Sequence, residues 1–397
     1  MNSSEWMDVE SKYYMFLVRR QPVVIERGEG TRVWDVDGKE YLDFTSGWAV
    51  NNVGHANTAV ADAIAEQAKT LLQTSNQFYT VPQLKLAEIL VENSAMDKVF
   101  FCNSGTEANE GAIKLARRYG ATRRNGAFEI ITALNSFHGR TMMNVAATGQ
   151  PHYQELFQPI PPGFSHVPFD DIEALKGAVT DRTAAIMLEP VQAEGGVNIP
   201  SEGYLQNVRD FCDENELLLI FDEVQTGLGR LGTLFGYESF GVEPDIMALA
   251  KGLGGGVPIG AFMAKDDACA FVPGDHGSTF GGNALTCAAA HASTKYMIDN
   301  NVPANAARMG ERIQQGLDAI KAKFDVINEV RGMGCLWGMF FESDVSPAVV
   351  GACNDAGLLL NPLRPNAVRL MPPLTVSADE IDQAMERLES GIATALA

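Results

Sequence analysis

Cysteine is sparse and unpatterned in this chain of 397 residues. Its six copies, Cys102, Cys212, Cys269, Cys287, Cys335 and Cys353, form no C-x-x-C pair, and no His/Cys cluster has metal-ligand spacing. No metal is expected, and the cysteines read as buried apolar fillers in a reduced compartment. Positive charge is also short, with 30 Lys and Arg against 50 Asp and Glu, a net charge of −20. Such a surface repels nucleic-acid backbones and anionic headgroups, although local arginines leave small anionic substrates open. No apolar run is long enough to span a bilayer. The start, "MNSSEWMDVESKYYMFLVRR", has neither the basic beginning nor the apolar stretch of a signal peptide. Together these absences point to a cytoplasmic protein. What is present, 46% hydrophobic and 20% charged residues, suits a globular chain too long for one core, so two domains are expected.

"TRVWDVDGKEYLDF" alternates around Asp37-Gly38, the signal of a tight hairpin. Amphipathic helices follow in "TAVADAIAEQAKTLL" and "VPQLKLAEILVENS". Short apolar strands then alternate with helices: "KVFFCN", "FEIITAL", "TAAIMLEP", "LLLIFDE", "DIMALA" and "PIGAFMA". That rhythm predicts an α/β unit with a mostly parallel sheet covered on both faces. From about residue 283 two long helices lead into "DVINEVRG", "CLWGMFF", "GLLLNP" and "AVRLM" as strands, and a last helix opens on the Ser-x-x-Glu capping box of "SADE". The division predicted is an N-terminal segment over 1–57, packing with the small domain, a large domain over 58–282, and a smaller α+β domain over 283–397 joined by the long helix.

In "ALAKGLGGG" a lysine, Lys251, stands between an apolar strand and three glycines. A surface lysine at a strand end is the plain reading, because burying an ammonium is costly without a partner. Two other strand ends bear on the choice, since ligands of α/β sheets sit beyond the carboxyl ends of the strands. After "KVFFCN", "SGTEAN" turns straight into a helix, so Gly105 and Thr106 present free amides at its positive end, suited to a phosphate or to a simple N-cap by Ser104 or Thr106. After "LLLIF", Asp222 ends an apolar strand where a carboxylate needs a cationic partner or a structural role, and Gln225 lies within reach. One cofactor joins all three. Pyridoxal phosphate seats its phosphate on a helix start, keeps its ring nitrogen protonated with a carboxylate, and forms a Schiff base with a lysine. In such a site the lysine amine is activated as nucleophile and proton shuttle.

"SGTEANEGAIKLAR", "FHGRT", "EPVQAEGGV", "FDEVQTGLGR", "AKGLGGG" and "HGSTFGGN" stand in the order found in class III pyridoxal-phosphate aminotransferases, and the resemblance spans roughly residues 20 to 395. "GLLLNP" and "AVRLMPPL" are similar to the end of the acetylornithine/ornithine-type members. The resemblance implies the fold-type I transferase architecture, large domain plus small. It implies transfer of a terminal amino group from an acetylornithine-like donor to 2-oxoglutarate, with succinylornithine, ornithine or 4-aminobutyrate as alternative donors. Lys251 is then the covalent lysine, Asp222 the partner of the ring nitrogen, and Gln225 the neighbour of the ring hydroxyl. Ser104, Gly105 and Thr106 hold the phosphate, while Phe137 and Val224 pack on the two ring faces. Thr279 reaches the cofactor of the other subunit of a homodimer. Arg140, with Ser278 nearby, takes the donor carboxylate, Arg369 takes that of glutamate or 2-oxoglutarate, and Glu194 gates Arg369. His138 reads as structural, because the lysine already carries the proton.

The chain departs from the family pattern in four places. Ala193 stands where glycine is usual beside Glu194, "GHANTAV" lacks the usual histidine-proline after the first Gly-His, and Trp48 and Arg364 are bulky or charged near where the family places its substrate pocket. Two rival readings fit less of the chain. "GLGRLG", residues 227 to 232, matches the dinucleotide fingerprint G-x-G-x-x-G, but it stands five residues after its strand and no long helix follows. A non-catalytic binding protein on the same fold would not need Lys251, Asp222 and the phosphate turn intact.

Overall fold

Seven strands pair in the order Lys98–Cys102, Gly260–Ala264, Ile246–Leu249, Leu218–Asp222, Thr183–Leu188, Glu129–Ala133, Phe164–Val167 in the computed structural model, which describes residues 1–397. Six of the seven are the segments read as strands; the seventh, Phe164–Val167, is a short edge strand with Ser165 and His166 in it. Only Gly260–Ala264 runs antiparallel to its neighbours, so the sheet is mostly parallel as expected. Thr183–Leu188 and Leu218–Asp222 are buried along their whole length, as strands covered on both faces must be. Helix Gly105–Arg123 buries Ala108, Ala112, Leu115 and Ala116, the three- and four-residue spacing of one face. Ala112, Leu115 and Ala116 join Ile130, Met187, Ile220 and Phe262 in one apolar core, while Ala108 packs with Cys102 and Ala248.

The chain divides into two compact units, Thr58–Ala304, and Met1–Asn57 together with Asn305–Ala397. The boundary therefore lies at 304/305 and not at 282/283. Helix Ala284–Asp299 packs on helices Thr58–Thr70 and Val81–Glu92, so it belongs inside the larger unit and is not a joint. The smaller unit is discontinuous in sequence because Leu42 and Asp43 pair in parallel with Leu358 and Leu359. "GLLLNP" is two strands: Leu358–Leu359 joins the N-terminal sheet, while Asn361–Arg364 joins the antiparallel sheet of Ile327–Met333, Leu336–Phe341 and Ala367–Leu370. Two helices unread in the sequence, Ser3–Tyr13 and Ser346–Asp355, also belong to this unit.

Candidate active site

The carboxyl ends of the parallel strands lie along one edge of the large sheet, and the unusual residues gather there. Register sets Asp222 opposite Ala248, so Lys251 follows three residues on, just past the end of the neighbouring strand Ile246–Leu249. A side chain on Gly105 would come 2.8 Å from Val224 Cγ1 and 3.5 Å from Ala250 Cβ, which places the start of helix Gly105–Arg123 against both of those strand ends. Only glycine allows that approach. Cradle, carboxylate and lysine are thus brought together.

Asp222 is buried and fully engaged. Its Oδ2 accepts from Asn109 Nδ2 at 2.7 Å and sits 2.8 Å from His138 Nδ1, and its Oδ1 accepts from the Val224 amide at 3.0 Å. Asn109 Nδ2 also donates to the His138 carbonyl at 2.8 Å, which ties the 137–140 loop to the helix. Glu189, at the end of Thr183–Leu188, is buried and accepts from the Phe137 amide at 3.2 Å. Burial, with Asp222 beside it, pushes the Glu189 carboxyl well above the usual carboxylate range; the Phe137 amide and Lys251 pull the other way.

Lys251 is half-buried and has φ +46°, a left-handed conformation that costs a non-glycine residue about 1–3 kcal/mol and tends to mark functional sites. It opens a short 3-10 turn, Lys251–Gly254. Gly255 and Gly256 follow at φ +58° and +122°, so these glycines serve to turn the chain.

Ser104 is the N-cap of helix Gly105–Arg123, accepting from Glu107 N at 3.3 Å. The cap and phosphate readings are compatible, because the first-turn amides of Gly105 and Thr106 have no acceptor within the helix. Thr106 Oγ1 accepts from the amides of Arg140 and Thr141 at 3.2 Å each, and from Asn144 Nδ2 at 2.8 Å. The same loop presents Phe137 half-buried and Arg140 exposed. Gln225 Nε2 donates to Glu194 Oε1 at 3.0 Å, while Gln225 Oε1 is buried with no partner in the chain. Ser278 Oγ accepts from Asn103 Nδ2 at 3.2 Å and from Gly281 N at 2.9 Å. Thr279 is exposed, and its carbonyl accepts from Gln73 Nε2.

Three other candidates lie in the smaller unit. Arg369 is fully buried in strand Ala367–Leu370, Arg364 is exposed in the adjacent strand, and Trp48 is half exposed at φ +63° in a tight turn. Ala193 is fully buried. "GLGRLG" forms turns followed only by the 3-10 helix Gly236–Ser239, so no helix start faces a pyrophosphate and the dinucleotide reading falls.

These residues fit pyridoxal phosphate: outward amides at a helix start, an oriented carboxylate, a lysine just past the adjacent strand, and an orphaned buried oxygen on Gln225. Asn109 and Glu189 were not singled out in the sequence. Glu189 carried a legible signal, an acid closing an apolar strand, as at Asp222. Asn109 carried none, being one polar residue inside a helix.

A family model described as class-III aminotransferase matches residues 15–392. The acetylornithine aminotransferase of Methanocaldococcus jannaschii is 49% identical over 392 residues, 98% of this chain and 98% of that protein. The ornithine aminotransferase of Toxoplasma gondii ME49 superposes with a TM-score of 0.96 at 34% identity, covering 99% of this chain and 96% of that one. A second structure of the Toxoplasma gondii enzyme, described as having partial occupancy of PLP at its active site, gives a TM-score of 0.94 at 34% identity, covering 98% and 94%.

Proposed function

The chain belongs to the class-III aminotransferases, and on that premise we propose that it moves the terminal amino group of N-acetylornithine to 2-oxoglutarate, giving a semialdehyde and glutamate. The observation that carries the choice of donor is the 49% identity, over 98% of both chains, with an enzyme named for acetylornithine. Pyridoxal phosphate is the cofactor; when bound it supplies an electrophilic carbon for the amine and a ring that takes up electrons as the neighbouring proton leaves. Lys251 binds it and carries that proton on Nζ. Asp222, kept from turning by Asn109 and His138, supplies the charge that holds a proton on the ring nitrogen. Gly105 and Thr106 bind the phosphate, with Ser104 fixing the helix start. Phe137 and Val224 cover the ring faces, Gln225 meets the ring hydroxyl, and Arg140 with Ser278 takes the donor carboxylate.

A second reading, ornithine as donor, draws on the likeness to the Toxoplasma gondii ornithine aminotransferase. Both readings are tested by kcat/KM for N-acetylornithine, N-succinylornithine, ornithine and 4-aminobutyrate, each against 2-oxoglutarate. N-acetylornithine is expected to lead. A lead for ornithine of about tenfold, some 1.4 kcal/mol, overturns the choice.

The working form is a homodimer in which Thr279 reaches the partner's cofactor, in keeping with its exposed position. Cytoplasmic residence completes the reading. The absence of any disulfide among the six cysteines supports it, and no helix is long and apolar enough to cross a membrane.

A further inference from the structure

Arg140 is an exposed arginine, and such a side chain ordinarily samples many rotamers. Here it does not lie loose. Its guanidinium carbon sits 4.1 Å from the ring centroid of Tyr153 and 5.5 Å from that of Phe137. The two rings meet edge to face, 5.9 Å apart at 72°, so the cation rests in an aromatic corner. At the other end, the Arg140 amide donates to Thr106 Oγ1 at 3.2 Å, which fixes the backbone.

The segment bearing Tyr153 is strapped to the same loop. Gln150 Nε2 donates to the Ser136 carbonyl at 2.9 Å, Gln154 Nε2 to the Thr148 carbonyl at 2.7 Å, and the Tyr153 amide to the Gln150 carbonyl at 3.0 Å. Tyr153 is therefore held to the loop that carries Phe137 and Arg140. A guanidinium lying over a ring keeps its N–H edges free, and that planar fork matches a carboxylate.

We propose that Tyr153 is a positioning residue for donor recognition: its ring holds Arg140 so that donors carrying an α-carboxylate are preferred over the same donors without one. The inference rests on Arg140 as reader of the donor carboxylate. It goes further by naming what orients the arginine and which donors that orientation rejects.

The test compares kcat/KM for N-acetylornithine with that for N-acetylputrescine, the same molecule without its carboxylate. Wild type is set against Tyr153→Leu, Tyr153→Met, Tyr153→Phe and Arg140→Ala. Either aliphatic variant is expected to lower the preference about tenfold, through a higher KM for N-acetylornithine, and to leave N-acetylputrescine unchanged. Tyr153→Phe, which keeps the ring, should stay within about twofold of wild type. Calorimetric Kd for N-acetylnorvaline, the donor lacking its terminal amine, should rise by the same factor in the aliphatic variants without any turnover. Equal losses on both donors would mean Tyr153 only supports the fold, and a Phe variant as poor as Leu would implicate the hydroxyl; either result overturns the proposal. If Arg140→Ala abolishes the preference and the Tyr153 variants do not, this inference alone fails. If Arg140→Ala leaves the preference intact, the reading of Arg140 fails first.

Discussion

Asp222 shows how a single charge is made useful by its neighbours. Two side-chain donors share Oδ2 and a backbone amide holds Oδ1, so the carboxylate is buried without being stranded. Asp222→Asn preserves the shape and deletes the charge. It should lower kcat by on the order of 10²-fold or more, the size of effect seen when a positioned electrostatic group is lost, with a smaller fall in Tm because the new amide nitrogen cannot accept from the donor it faces. An unchanged kcat would remove Asp222 from the chemistry. Lys251→Ala should abolish turnover yet still bind the cofactor through its phosphate, as judged by equilibrium dialysis; sustained turnover near the wild-type rate would refute the lysine assignment. Both residues were legible in the sequence because each is a charge at the end of an apolar strand, a place where charge needs a reason. Asn109 and Tyr153 were not, because their roles depend on chain far away. Asn109 meets Asp222 across 113 positions, and Tyr153 acts only by where a loop sets Arg140.

Elements carry the site by their ends. Ser104→Ala removes the cap of helix Gly105–Arg123 and should cost about 1 kcal/mol, read as a lower urea midpoint together with weaker cofactor binding. Unaltered cofactor binding would separate the cap from the phosphate site. Where strand Leu218–Asp222 ends, the Glu223 carboxyl clamps the 3-10 helix Gly236–Ser239, accepting from the amides of Gly236 and Tyr237. Burial pushes Glu223 up to about 8, against the pull of those two amides. A folded-state value above the unfolded one means its stabilising contribution is complete below about 4.5 and is lost as the pH rises through about 8. Glu223→Gln cannot ionise, so any deficit against wild type should shrink between pH 6 and pH 9 in urea midpoints; a constant gap would contradict this. Elements with strong local signals were legible in the sequence, such as the Asp37-Gly38 hairpin and the final helix behind Ser377 and Glu380. Others owe their form to packing. "SPAVVGACND" is rich in weak helix formers and becomes helix Ser346–Asp355 against Ala378–Leu396. "GLLLNP" splits because its halves pair with different sheets.

At the scale of the whole molecule the chain carries 50 acidic against 30 basic residues, and the larger unit nonetheless exposes a cluster of large apolar side chains. Phe78, Tyr79 and Val81 are 64%, 92% and 65% exposed, and they line a groove of about 680 Å³ with Leu71, Pro82 and Ala288. Phe280, 62% exposed, adjoins Thr279, whose carbonyl is tied by Gln73 to the segment leading into that groove. A highly charged protein gains little by leaving such a surface in water, and a contiguous patch of this kind marks an interface. In the proposed homodimer this surface would be covered, and Thr279 would stand at the boundary it is proposed to cross. Sedimentation should therefore give twice the 42.9 kDa chain mass at micromolar concentration. Tyr79→Glu should yield monomers, because each copy would bury a charge facing apolar groups. Those monomers should also bind pyridoxal phosphate more weakly, since the partner's threonine is gone. Thr279→Ala should weaken cofactor binding while leaving the dimer intact. A Tyr79→Glu monomer with wild-type cofactor affinity would show that the partner contributes nothing to the site, and the role given to Thr279 would end there.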